Sequence, residues 1–140
     1  MDDPAVLHLQ AERAEVARLH SWLAAAAADR RLPGDMLYGI EVALEEVVMN
    51  AILHGGIGGG DALITVALLA APGAVEVRVE DPGRAFDPAG APAPEVPRQL
   101  QGVVPGGAGL RLLRHFCPDI SYERRDARNL LTLRFPLPPG

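Results

Sequence analysis

Glu46, Asn50 and His54 recur at four-residue intervals in the stretch EEVVMNAILHG, residues 45–55. That spacing stacks side chains on one strip of a helix. A carboxylate and an amide one turn apart can address the same point in space. Together they can hold a cation or a polar substrate. The same residues also fit a partly exposed helix edge where Glu46 meets water, and the helix alone does not choose between the two. His54 falls one turn further on.

Two further stretches carry usable groups. VEDPGRAFD, residues 79–87, places Asp81 directly after an alternating strand. From there its carboxylate can accept hydrogen bonds from an amine, such as the exocyclic amino group of a purine. Gly83 then permits close approach or a positive φ. An ordinary strand-ending turn fits equally, since Asp, Pro and Gly favour turns. PGGAGLRL, residues 105–112, runs glycines into a helix start. Free backbone N–H groups at such a place bind phosphate, helped by the helix dipole. The Gly-Gly-x-Gly spacing matches neither the usual phosphate loop nor the dinucleotide fingerprint, and a hinge without a ligand remains open.

The elements that must position these groups can be read from periodicity. Ala5–Leu9 is a short apolar run, expected as an edge strand. Val16, Leu19, Leu23 and Ala27 recur at helical spacing between residues 11 and 30, with Leu19 and Trp22 as core. Pro33-Gly34 breaks that helix, and Asp35 is placed to cap the next, over residues 36–54. On its wheel Leu37, Ile40, Leu44, Val47, Val48 and Ala51 form one broad apolar face. Val42, Met49 and Leu53 form a second patch, and Glu46 and Asn50 fall between. An ionised carboxylate between apolar strips is costly unless compensated. Strands are expected at 62–69 and 75–80, joined by a turn at 71–74, and at 120–123 and 130–135, joined by a polar turn over 125–129. Residues 86–107, rich in Pro, Ala and Gly, read as a long loop, either functional, such as a lid, or disordered, and 110–116 as a short helix. The pattern is α+β: a two-layer α/β sandwich with helices on one face of a mixed, mostly antiparallel sheet.

Composition narrows the function. The 140 residues make one ordinary domain. A net charge of -5 argues against binding nucleic acid by charge. A bound anion must then be held by backbone amides, a few arginines or a metal ion; Arg84, Arg98 and Arg111 are the cations nearest the motifs. The single cysteine, Cys117, excludes an internal disulfide and suits a reducing cytoplasm, with a structural role for the thiol itself. His8, His20 and His115 make no metal set. No secretion signal or membrane-spanning run is expected.

The order of the segments is more specific than any one of them. Glu-x-x-x-Asn on a helix, Asp-x-Gly after a strand, a long loop and then Gly-x-Gly-Leu resembles the histidine-kinase-like ATPase domain of the GHKL superfamily. EEVVMNAILHGG, VEDPGRAFDP, GGAGLRLLRHF and SYERRDARNLLTLRF are most similar to its anti-sigma-factor serine/threonine kinase branch. The resemblance covers residues 6–136 as one ATP-binding domain, with a flexible ATP lid at about 89–105. It implies ATP and Mg²⁺ as ligands. Asn50 would coordinate the metal and Glu46 would be the general base. Asp81 would bind the adenine amino group above Gly83. Gly107, Gly109 and the Leu110 amide would line the phosphates, and Thr132, on a late strand, would support the adenine end.

The partners implied are a sigma factor, an antagonist protein that accepts the γ-phosphate, and a second copy in a homodimer. No nucleic acid, membrane or sensor histidine kinase is implied. Two functions stay open: a protein serine/threonine kinase, or a non-catalytic ATP-dependent interaction module in a partner-switching pathway. Glu46 favours the first, because nucleotide binding alone needs no base.

Overall fold

The computed structural model describes residues 3–54, 63–85, 113–117 and 119–138. Strand β1 (Ala5–Gln10) leads through a 3-10 turn (Arg13–Glu15) into helix α1 (Val16–Asp29) and then α2 (Gly34–His54). Strands β2 (Leu63–Ala71), β3 (Ala74–Asp81), β4 (Asp119–Arg125) and β5 (Arg128–Pro136) follow. They form one sheet in the order β1-β2-β3-β5-β4, and all four pairings are antiparallel. The two-layer sandwich and its antiparallel sheet are as the sequence implied.

Strand alternation decides which face the helices cover. Leu7 and Leu9 of β1, Ile64, Val66 and Leu68 of β2, and Val75, Val77 and Val79 of β3 are all buried. They meet Leu19 and Leu23 of α1 and Ile40, Leu44 and Val48 of α2 in one core. The broad apolar face of α2 is thus the packed one. The second patch is not: Val42 and Met49 are half-buried and Leu53 is exposed. Trp22 packs against the core from its edge.

The ends of α1 and α2 differ from expectation for local reasons. Helix α1 stops at Asp29, ahead of Pro33. Arg31 adopts a φ of 54°, Arg31 N–H donates to the Ala28 carbonyl, and Leu32 N–H reaches back to that of Ala27 at 3.1 Å. This is a Schellman closure built without glycine. Helix α2 begins one residue before Asp35: Leu37 N–H donates to the Pro33 carbonyl at 3.0 Å. Asp35 therefore lies inside the first turn, where its charge meets the positive end of the helix dipole, and is not the cap. Gly39 lets α2 approach the helical turn at 113–116, since a Cβ there would sit 3.3 Å from the Phe116 ring.

The last two strands are longer than the sequence implied. The turn between them is only Asp126-Ala127, with φ of 52° and 61°, so Arg125, Arg128 and Asn129 belong to the ladder. Among the described residues no helix is long and apolar enough to cross a membrane.

Candidate functional site

Connectivity fixes which end of the sheet carries the polar groups. Gln10, the last residue of β1, pairs with Leu63, the first of β2. Helix α1 starts at that end: Arg18 donates to the His8 carbonyl at 3.3 Å. It finishes at the other, where Arg30 donates to the Asp3 carbonyl at 2.8 Å. Helix α2 returns antiparallel, with His20 of α1 3.4 Å from Glu45. The C-terminal half of α2, with Glu46 and Asn50, therefore lies over the end where β2 begins and β3 stops at Asp81. Helix α2 packs on β3. Two sequence-distant segments thus share one end of one face.

On α2, Glu46 and Asn50 are half-buried, one turn apart. Burial raises the Glu46 carboxyl above its ordinary range, and the neighbouring Glu45 carboxylate adds to the shift. A carboxylate with raised affinity for a proton, still partly open to solvent, has the character of a general base. The Asn50 side-chain oxygen is a hard, neutral donor of the kind Mg²⁺ accepts. Among the described residues no three His, Cys, Asp or Glu side chains gather as a metal cage.

Asp81 ends the inward column Val75, Val77, Val79, and Asn129 begins the inward column Leu131, Leu133, Phe135. The two residues are directly opposite in the β3–β5 ladder. Asp81 is 9% exposed and Asn129 5% exposed, and they are the buried polar residues among those described. The Asp81 Oδ1 accepts the Gly83 N–H at 2.8 Å. Pro82, without an N–H, ends the ladder between them. The same Oδ1 accepts from Asn129 Nδ2 at 3.1 Å, and Asn129 Nδ2 also donates to the Arg84 carbonyl at 2.6 Å. On its other side Asn129 Oδ1 accepts from the Tyr122 hydroxyl at 2.7 Å and from Arg124 Nη1 at 3.1 Å. Arg124 Nη1 further donates to the buried Gly83 carbonyl at 2.7 Å. Arg124 pairs with Asn129 in the β4–β5 ladder, so Asp81, Asn129 and Arg124 form one row across three strands.

Asn129 was not anticipated, because residues 125–129 read as a polar turn, and Tyr122 and Arg124 of the preceding strand were not singled out. The signal was present: Asn129 extends by one step the i, i+2 alternation of Leu131, Leu133 and Phe135. Thr132 lies on the other face of β5. It pairs with Arg78 and Ser121 and lies between inward Leu131 and Leu133, so it faces away from the helices. There it lines a shallow surface hollow with Ser121, Glu123 and Leu130. The residue opposite Asp81 is Asn129.

Arg84 is exposed. Gly107, Gly109, Leu110, Arg98, Arg111 and the loop at 89–105 lie outside the described residues, as does the His54 side chain. Cys117 is buried, and its Sγ donates to the Asp119 and Arg134 carbonyls at 3.4 and 3.6 Å. Burial pushes its thiol up to about 11, the two hydrogen bonds opposing that shift. It is a structural group.

The described residues thus form an α/β sandwich: an antiparallel sheet covered on one face by helices, with a carboxylate and an amide on the C-terminal half of α2 and a buried Asp where β3 stops. Residues 9–135 match the family of histidine kinase-like ATPase domains, and the chain belongs to it. Over 112 residues it is 36% identical to the serine/threonine-protein kinase BtrW of Bordetella bronchiseptica, covering 80% of this chain and 79% of that protein. Its fold is that of a solved structure, the crystal structure of the RsbU and RsbW domains of Rv1364c from Mycobacterium tuberculosis. That likeness has a TM-score of 0.71 at 20% identity and covers 99% of this chain and 34% of the other.

Proposed function

We propose that this protein is an anti-sigma-factor-type serine/threonine kinase, transferring the γ-phosphate of ATP to a hydroxyl of an antagonist protein. The observation that carries the reading is the half-buried Glu46, with its raised carboxyl, one turn before Asn50 on α2. A base is needed for transfer and not for binding. The similarity to a serine/threonine-protein kinase over most of both chains supports the same choice.

In this reading Asn50 provides the protein's oxygen to Mg²⁺, which when bound neutralises charge across the phosphates. Glu46 takes the proton of the attacking serine or threonine hydroxyl. That oxygen forms a bond to the γ-phosphorus as the bond from phosphorus to the ADP oxygen breaks. The Asp81 carboxylate accepts the adenine amino group, and Gly83 lets the base approach. Gly107, Gly109 and Leu110 are proposed to line the phosphates, and the segment at about 89–105 to be the lid over them. The whole, residues 6–136, would act as one domain in the cytoplasm, with a sigma factor as second partner and a homodimer as the working form.

The test is transfer of radiolabelled γ-phosphate to candidate antagonist proteins purified from the same cell, with Glu46→Gln alongside. Label on a serine or threonine of one antagonist, lost in Glu46→Gln, is expected. A wild-type protein that binds ATP and labels none of them would leave only the non-catalytic interaction module.

A further inference from the structure

We propose that Arg124, reaching inward from the edge strand β4, is a positioning residue for purine recognition: acting through Asn129, it sets which oxygen of the Asp81 carboxylate is left for the base. The inference rests on the reading of Asp81 as the contact to the adenine amino group and assigns a role to residues that reading does not include.

Every side-chain hydrogen-bonding position of Asn129 has a partner: two acceptors at Nδ2 and two donors at Oδ1. Asn129 therefore has nothing left to offer a nucleotide directly, and its influence passes through Asp81. The amide has two orientations, and its surroundings must choose. Tyr122 cannot choose, because a hydroxyl both donates and accepts. Arg124 can, because a guanidinium only donates. It holds Oδ1 on its own side at 3.1 Å and thereby turns the Nδ2 hydrogens toward Asp81. The reversed amide would set an oxygen against the Asp81 carboxylate and an NH₂ against the guanidinium.

The consequence falls on the carboxylate. With Asn129 Nδ2 and the Gly83 N–H both on Oδ1, Oδ2 accepts no hydrogen bond in the described structure. It is the oxygen available to an exocyclic amine. The second bond from Arg124, to the Gly83 carbonyl at 2.7 Å, holds the turn that supplies that N–H. Arg124 thus grips both groups that occupy Oδ1.

The test compares Mg²⁺–ATP with Mg²⁺–purine riboside 5′-triphosphate, which lacks the 6-amino group, by calorimetric titration. Removing the Arg124 charge weakens both nucleotides alike, so their affinity ratio isolates the amino contact. Wild type is expected to favour ATP by about tenfold or more, the worth of one hydrogen bond to a charged acceptor. Arg124→Met should cut that preference at least about threefold, and Arg124→Lys, still donor-only, should restore most of it. Arg124→Gln, whose amide can present either group, should behave like Arg124→Met and serves if the latter fails to fold. A wild-type ratio in Arg124→Met or Arg124→Gln overturns the role of Arg124 and leaves Asp81 as the adenine contact. A wild type that does not distinguish the two nucleotides removes the Asp81 reading itself, and this inference with it.

Discussion

Replacing Asn129 by alanine should destabilise the fold far more than its place beside a hairpin turn implies. The side chain is 5% exposed and, among the described residues, makes four hydrogen bonds of 2.6–3.1 Å, two of them to the charged groups Asp81 and Arg124. Neutral hydrogen bonds contribute about 0.5–1.5 kcal/mol net and charged ones about 1.5–3. The full set is not lost, because Arg124 is exposed and can turn to water, and Asp81 keeps the Gly83 N–H. The Tyr122 hydroxyl and the Asp81 Oδ1 are left under-paired near a buried wall, which points to a net loss of about 2–4 kcal/mol. For a domain of this size that lowers the melting temperature by roughly 8–15 °C. Urea unfolding followed by circular dichroism measures it, with Thr132→Ala as control. Thr132 is three residues along the same strand on the outer face, and its substitution should cost under about 1 kcal/mol. An Asn129→Ala loss no larger than that of Thr132→Ala would refute the network as a structural unit.

Glu46→Gln should slow phosphate transfer by about 10²–10⁴-fold and leave ATP affinity nearly unchanged, as single-turnover assays and titration would read. The same variant carries a pH signature. Burial raises the folded-state Glu46 carboxyl above the ordinary value of 4.5, so this group's stabilising contribution is present below that value and lost as pH rises through the folded one. Glu46→Gln should therefore unfold at higher urea than wild type near pH 7, with the gain shrinking as pH falls through the raised folded value and gone below about 4.5. Arg31 and Ala127 hold φ of 54° and 61°, and Arg31→Gly or Ala127→Gly should each add about 0.5–1 kcal/mol in the same unfolding assay. Cys117, buried with its thiol pushed up to about 11, should react with a disulfide reagent at neutral pH only as fast as the chain opens.

The layout of the fold was legible because both periods are strongly written. Leu19 and Leu23 on α1, Ile40, Leu44, Val47 and Val48 on α2, and Val75, Val77 and Val79 on β3 mark the packed face directly. The boundaries that moved were set by backbone effects that periodicity does not carry. Arg31 enters a left-handed conformation without glycine, and Pro33 supplies the first carbonyl of α2, displacing Asp35 from the cap. Glu46, Asn50 and Asp81 were legible as candidates because a charge or amide among apolar residues stands out. Asn129 and Arg124 were not, since an arginine-rich hairpin tip looks solvated until the register sets Asn129 opposite a buried aspartate. Thr132 shows the converse: alternation sets it on the outer face of β5, away from the column that Asn129 begins.

The most direct measurement is calorimetric titration of the wild-type protein and Asp81→Asn with Mg²⁺–ATP and Mg²⁺–GTP. A cradle shared by α2 and the end of β3 should bind ATP with GTP at least about tenfold weaker, and Asp81→Asn should erase most of that gap. Equal affinity for the two nucleotides in the wild type, or no heat with either, would contradict the account.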